Sequence, residues 1–229
     1  MSGVRPNLRL VTEPAHVIAT RTFYDAIAED YAELFRTELD DAPLDRALLT
    51  GFAETVRREH ADPSTVEAGC GPGVVTDQLR RLGLQVRGID LSPAMVALAR
   101  RTFPQVGFAV GEMGRLDAAD ATLAAVVAWY SLIHVPEGDR PAVLAEFRRV
   151  LRPGGYLLLG FQAGTDTLRL DEAFGQQVSL DFHRLDPDAV VAMTEGAGLE
   201  LVARLVRAPE RRSSAAAVPQ AAVIARRPG

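Results

Sequence analysis

The sequence predicts an α/β fold built on a doubly wound, mostly parallel sheet. Three observations carry this expectation. From residue 64 onward, short apolar runs alternate with segments of helical period. A glycine-rich turn at residues 69–73 joins the first such run to the first such segment. Residues 123–129 are apolar without a break, as a strand covered on both faces must be.

The elements follow in order. Residues 1–20 show no clear period and read as an arm. Over 22–36, Phe23, Ile27, Tyr31, Leu34 and Phe35 recur at helical spacing. Pro43 suits the first turn of a second helix, with Leu44, Leu48, Phe52 and Val56 on one face. Then come a strand at 65–68, a helix at 74–82 and a strand at 85–90. Ser92 can cap the next helix, Pro93 fits its first position, and the helix runs to Thr102. Strands at 106–110 and 123–129 precede a helix at 140–151. Arg152-Pro153-Gly154-Gly155 stops that helix before a strand at 156–161. Residues 163–182 lack a clean period and read as an irregular insertion. Asp186 can cap a helix through Met193 that ends near Gly196 or Gly198. Strands at 199–206 and 221–226, joined by the polar segment 209–219, would form a long hairpin and add an antiparallel edge.

Composition narrows the function. The chain has 229 residues, enough for a full core in one α/β domain, with the helices of 1–60 and the insertion at 163–183 as additions. Net charge is −5, which gives no general attraction to a phosphate backbone, so a nucleic acid is a poor partner. Cys70 is the single cysteine; no intrachain disulfide can form and a Cys/His zinc site is not expected. No apolar run approaches ~18 residues and no signal segment opens the chain, so a cytoplasmic location and no membrane partner are expected. Every cationic residue is Arg, which removes lysine nucleophiles.

The strongest motif is Glu67-Ala68-Gly69-Cys70-Gly71-Pro72-Gly73, between a strand and a helix. Glycines let backbone approach a ligand, and the helix N-terminus beyond favours an anionic group. A nucleotide P-loop requires a lysine, which is absent. A dinucleotide fingerprint requires a glycine where Val74 stands. What fits is an acidic residue two before G-x-G-x-G. Asp90 ends the second strand, where a carboxylate can accept hydrogen bonds from two ribose hydroxyls. Gly111-Glu112-Met113 follows the third strand, and Trp129-Tyr130-Ser131 leaves the fourth.

In these motifs and their order, about residues 22–229 resemble class I S-adenosylmethionine (SAM)-dependent methyltransferases of small-molecule type. The resemblance implies a Rossmann-like seven-stranded sheet whose last strand is antiparallel, with a helical N-terminal lid. It implies SAM as cofactor, S-adenosylhomocysteine as product and a small-molecule acceptor. SAM contacts would come from Glu67, Gly69, Cys70, Gly71, Gly73, Asp90, Leu91, Met95, Glu112, Met113, Trp129, Tyr130 and Ser131. The family usually has Asp where Glu112 stands, so Met113 is the firmer of that pair. Tyr24 and Tyr31 would approach the methionine end of SAM; the alternative is that they pack the lid against the core.

His183, after the insertion, is the candidate general base, and His134, beyond the fourth strand, the second catalytic candidate; a packing role for His134 is the alternative. Cys70 reads as an inert small residue. No metal is implied. The all-arginine cation set suits a GC-rich bacterial genome and a secondary-metabolite pathway. Two other functions share this sequence pattern: a SAM-binding regulator, and a fold recruited for another reaction such as a cyclisation. The arm at 1–20 is expected to be mobile until SAM binds. The acceptor's identity and the oligomeric state leave no signature.

Overall fold

The structure is a computed structural model and describes residues 13–209 and 218–229. Three helices come first: α1 (Ala15–Phe35), the short α2 (Glu38–Asp41) and α3 (Pro43–Glu59). α1 begins well before residue 22. Pro14 sits at its N-cap, and Val17 and Thr20 continue the buried stripe of Phe23 and Ile27. The expected arm therefore shrinks: residues 15–20 are helix, and residues 1–12 lie outside the described part. The middle of the polar segment at 209–219, residues 210–217, lies outside it too.

The alternating region follows the sequence closely. β1 (Ser64–Ala68), α4 (Val74–Arg81), β2 (Gln85–Asp90), α5 (Pro93–Thr102), β3 (Gly107–Val110), β4 (Leu123–Trp129), α6 (Arg140–Val150) and β5 (Leu151–Gln162) appear in that order. α7 (Pro187–Gly196), β8 (Glu200–Arg207) and β9 (Gln220–Arg226) end the chain. Ser92 caps α5 by accepting from the Met95 N–H, and Asp186 caps α7 by accepting from the Asp188 N–H.

Seven strands form one sheet in the order β3-β2-β1-β4-β5-β9-β8. β1 to β5 are parallel; β9 runs antiparallel to both β5 and β8. The antiparallel strand is thus inserted beside β5, and β8 takes the edge. β4 is buried along its whole length. On one face of the sheet Val126, Leu157 and Val223 pack with Phe147 of α6 and Val190 of α7. On the other, Val127 and Leu158 pack with Phe52 of α3 and Leu79 of α4. The chain moves outward through β2 and β3, then returns across β1 to start β4. That reversal opens a crevice at the carboxyl ends of β1 and β4.

Two expectations are corrected. Arg152-Pro153-Gly154-Gly155 does not stop a helix; α6 has ended at Val150 and β5 has begun. Leu151 pairs with Leu123 and Tyr156 with Ala125, so the four residues form a bulge within the strand. The irregular insertion is a hairpin, β6 (Thr167–Ala173) and β7 (Gln176–His183). Its turn puts Phe174 (φ 50°) and Gly175 (φ 75°) in the left-handed region, as a two-residue type I′ turn requires.

Candidate active site

The crevice is roofed by α1 and encloses about 780 Å³ including its mouth, within the usual size of ligand pockets. Its floor is the turn after β1. Gly69 and Cys70 N–H groups donate to Ile89 O at 2.8 and 2.9 Å. Gly69 has φ 77°, and a Cβ there would sit 2.3 Å from the Ser131 Cβ, so only glycine lets β1 and the β4 exit approach this closely. Ser131 closes the contact by donating its hydroxyl to Ala68 O at 2.6 Å. At Gly71 a Cβ would meet nothing within 4 Å; this residue is on the cleft wall.

Asp90 organises one end of the cleft. Its Oδ2 accepts from the Gly71 N–H at 2.8 Å and its Oδ1 from the Ser92 N–H at 2.9 Å. A carboxylate has about four acceptor sites, so these two bonds leave it capacity to accept from a ligand. Burial raises its pKa above the ordinary carboxylate range, against the pull of these N–H bonds. Leu91, Glu112 and Met113 line the wall beside it. The Gly111 N–H donates to Asp90 O at 2.9 Å, which fixes the start of that segment.

The β4 exit supplies the opposite wall with Trp129 and Tyr130, whose rings meet edge to face at 5.4 Å. Tyr130 holds φ 53°, an uncommon conformation for a bulky residue, and is fixed by its N–H donating to Gly160 O at 2.8 Å. Burial raises the Tyr130 phenol pKa, while Arg207, ion-paired to Asp45 at 2.8 Å, draws it the other way.

α1 contributes His16, Val17, Thr20, Tyr24 and Tyr31 to the roof. Tyr24 Oη and His134 Nε2 share a hydrogen bond at 2.8 Å, with the rings edge to face at 5.3 Å. Burial drives the His134 pKa down to about 4, so its imidazole is neutral at physiological pH. Burial raises both tyrosine pKa values, so both phenols keep their protons.

Twelve of the residues singled out in the sequence line the cleft: Tyr24, Tyr31, Gly69, Gly71, Asp90, Leu91, Glu112, Met113, Trp129, Tyr130, Ser131 and His134. Five do not. Glu67 is buried behind the turn and accepts from the Thr76 hydroxyl of α4; burial lifts its pKa to about 8. Cys70 packs towards Gly88 and Phe108, and burial holds its thiol protonated. Gly73 caps α4 against Phe108, and Met95 is fully enclosed on α5. His183 pairs its Nδ1 with Thr167 Oγ1 at 2.9 Å across the hairpin. The sequence reading missed His16, Val17 and Thr20. Their signal was present: 16, 20 and 24 are four apart on the stripe that continues to Tyr31. Among the described residues, no group of three or more His, Cys, Asp or Glu is placed to hold a metal ion, and no helix is long and apolar enough to cross a membrane.

Comparison with known proteins agrees with this arrangement. Residues 66–155 match a family model described as a methyltransferase domain. The chain is 33% identical over 129 residues to malonyl-(acyl-carrier protein) O-methyltransferase of Serratia marcescens, covering 54% of this chain and 48% of that one. It is 36% identical over 110 residues to a ubiquinone biosynthesis O-methyltransferase of Xanthomonas axonopodis pv. citri, covering 46% and 45%. The chain spans about half the length of the curated relatives it matches. Its fold superposes on magnesium protoporphyrin IX methyltransferase of Synechocystis PCC 6803, solved with bound SAM. The TM-score is 0.68 at 14% identity, over 94% of this chain and 99% of that one.

Proposed function

We propose that the chain is a class I SAM-dependent methyltransferase that transfers a methyl group from SAM to an oxygen or nitrogen atom of a small-molecule acceptor, a reading supported by the methyltransferase-domain match over residues 66–155 and by the shared fold. We place this activity in the cytoplasm, with neither nucleic acid nor membrane as partner. The observation that carries the reading is Asp90: an anchored carboxylate with acceptor capacity left, on a cleft wall floored by backbone at Gly71. The residues fit the cofactor. Asp90 would hold the ribose, Leu91, Met113 and Glu112 the adenine, and Gly69, Gly71, Tyr24 and Tyr31 the methionine end. Glu67, Cys70, Gly73 and Met95 would support this site from behind. When bound, SAM supplies an activated methyl group on sulfonium.

The chain's own residues then have three tasks. They must hold the acceptor atom about 3–3.5 Å from that methyl, in line with its bond to sulfur. Trp129 and Tyr130 give that end of the cleft an aromatic corner of two rings set edge to face. They must exclude water, which α1 does as a roof. They must receive a proton when the acceptor atom carries one. His134 is poorly suited, because its depressed pKa makes it a weak base at neutral pH; it orients the Tyr24 hydroxyl instead. His183 is not among the cleft-lining residues, and its Nδ1 is engaged with Thr167. The imidazole on the wall beside a carboxylate is His16, whose Nδ1 lies 3.5 Å from Asp139 Oδ2. We treat the helices before residue 60 and the hairpin at 163–183 as the acceptor-side lid of one catalytic unit.

Relatives whose names specify carrier-bound malonyl and quinone-pathway acceptors support a small-molecule acceptor. Calorimetry tests the cofactor assignment: SAM binds the wild type, and Asp90→Ala weakens it by about 100-fold, the loss of two hydrogen bonds to a charged group. Release of S-adenosylhomocysteine with a panel of phenols, amines and carboxylic acids then tests transfer. Binding without any such release would favour a regulator or a recruited fold.

A further inference from the structure

The roof helix reaches the nucleoside end of the cleft through one side chain. Asp25 Oδ1 of α1 accepts from the Ser92 hydroxyl at 2.5 Å and from the Ala94 N–H at 3.1 Å. Ser92 is fully buried and already has two other tasks. Its Oγ accepts from the Met95 N–H at 3.0 Å, and its N–H donates to Asp90 Oδ1 at 2.9 Å. Asp90 Oδ2 takes the Gly71 N–H at 2.8 Å. Three hydrogen bonds in series therefore run from the lid, through Ser92 and Asp90, into the glycine turn.

A second observation makes this chain a coupling device as well as a cap. The apolar side of α1 belongs to the hairpin: Phe23 and Ile27 cluster with Leu180, and Phe182, Leu170 and Val178 pack around them. This cluster meets the layer over one face of the sheet through Phe182, which packs against both. α1 and the hairpin thus form one packed unit over the cleft. Besides Asp25, α1 has an ion pair to α5, Glu29 to Arg101 at 2.7 Å; both side chains are mostly exposed and the pair touches neither Ser92 nor Asp90.

We propose that Asp25 is a positioning residue for the nucleoside site: with α1 docked it fixes Ser92, and through Ser92 the carboxylate of Asp90, so that lid docking and cofactor binding form one coupled equilibrium. The inference rests on Asp90 being the ribose carboxylate. Coupling of this kind is reciprocal: the factor by which docking raises cofactor affinity is the factor by which the cofactor favours docking.

The experiment titrates SAM by calorimetry into the wild type, Asp25→Ala, Asp25→Asn and Glu29→Gln, and follows hydrogen exchange of residues 15–35 with and without SAM. Exchange in β4 reports that each variant is folded. Asp25→Ala should bind SAM roughly tenfold more weakly and lose most of the protection that SAM adds to α1. Asp25→Asn keeps an acceptor oxygen and should recover most of both. Glu29→Gln should stay within about twofold of the wild type, as an exposed pair implies. Unchanged affinity in Asp25→Ala would overturn the inference, as would an equal loss in Glu29→Gln, which would make any loosening of the lid sufficient. An absence of heat from the wild type would instead remove the cofactor reading and this inference with it.

Discussion

Glu67 shows how a single residue can be read correctly as a motif and still be placed by physics the motif does not encode. Its spacing before Gly69 marks the turn, yet its side chain points into the protein, where Thr76 gives it one donor. Burial raises its pKa from 4.5 to about 8. The folded state therefore keeps a proton that the unfolded state loses near its ordinary pKa, and this group's contribution to stability declines as pH rises from about 4.5 to about 8. Glu67→Gln keeps the shape and the acceptor for Thr76 while removing the titration. Its stability relative to the wild type should rise across that window, reaching on the order of a few kcal/mol by pH 8.5. Urea melts at pH 5 and pH 8.5 measure it; an equal difference at both would show that Glu67 does not titrate in the fold. Asp90 was easier to read, because a carboxylate at the carboxyl end of a parallel strand faces the crevice by topology alone.

At the scale of elements, legibility followed period and chemistry. α5 was recoverable to the residue, because Ser92, Pro93 and the apolar stripe all agree. The hairpin was not, although Leu168 and Leu170, then Val178, Leu180 and Phe182, alternate along it. A register shift between Leu170 and Glu172 breaks that alternation in β6, and Phe174 is an unusual residue for a left-handed turn position. α1 was read from its aromatic half alone, because Ala15, His16, Ala19 and Thr20 dilute the apolar stripe in its first two turns, where Val17 is the buried apolar residue. That lost half holds His16. If His16 receives the acceptor's proton, His16→Ala should lower turnover about 100-fold with an acceptor that must be deprotonated, and leave SAM affinity unchanged. Steady-state kinetics beside calorimetry separates the two. A parallel loss of SAM affinity would make His16 part of the roof only.

The whole molecule joins these scales through its topology. The strand order turns back between β1 and β4, so the glycine turn, Asp90 and the aromatic wall arrive at one crevice from widely separated parts of the sequence. This much was legible, since alternating elements permit few sheet orders. How α1 and the hairpin close over the crevice was not, because it depends on contacts such as Tyr24 with His134 and Phe23 with Phe182, which no local pattern encodes. A ligand in this position touches the ends of several strands and the roof at once, so it can exist only on the assembled fold. Binding that excludes the unfolded chain adds about 2.7 kcal/mol at a ligand concentration of 100 Kd. For a chain of this length that corresponds to a rise in Tm of about 5–10 °C. Thermal melts should show this shift with SAM for the wild type and almost none for Asp90→Ala at the same concentration. An equal shift in both proteins would mean that SAM is held without Asp90 and would move the nucleoside site elsewhere in the cleft. A shift in the wild type alone would tie the stability that the ligand adds to the whole fold to one carboxylate at the end of β2.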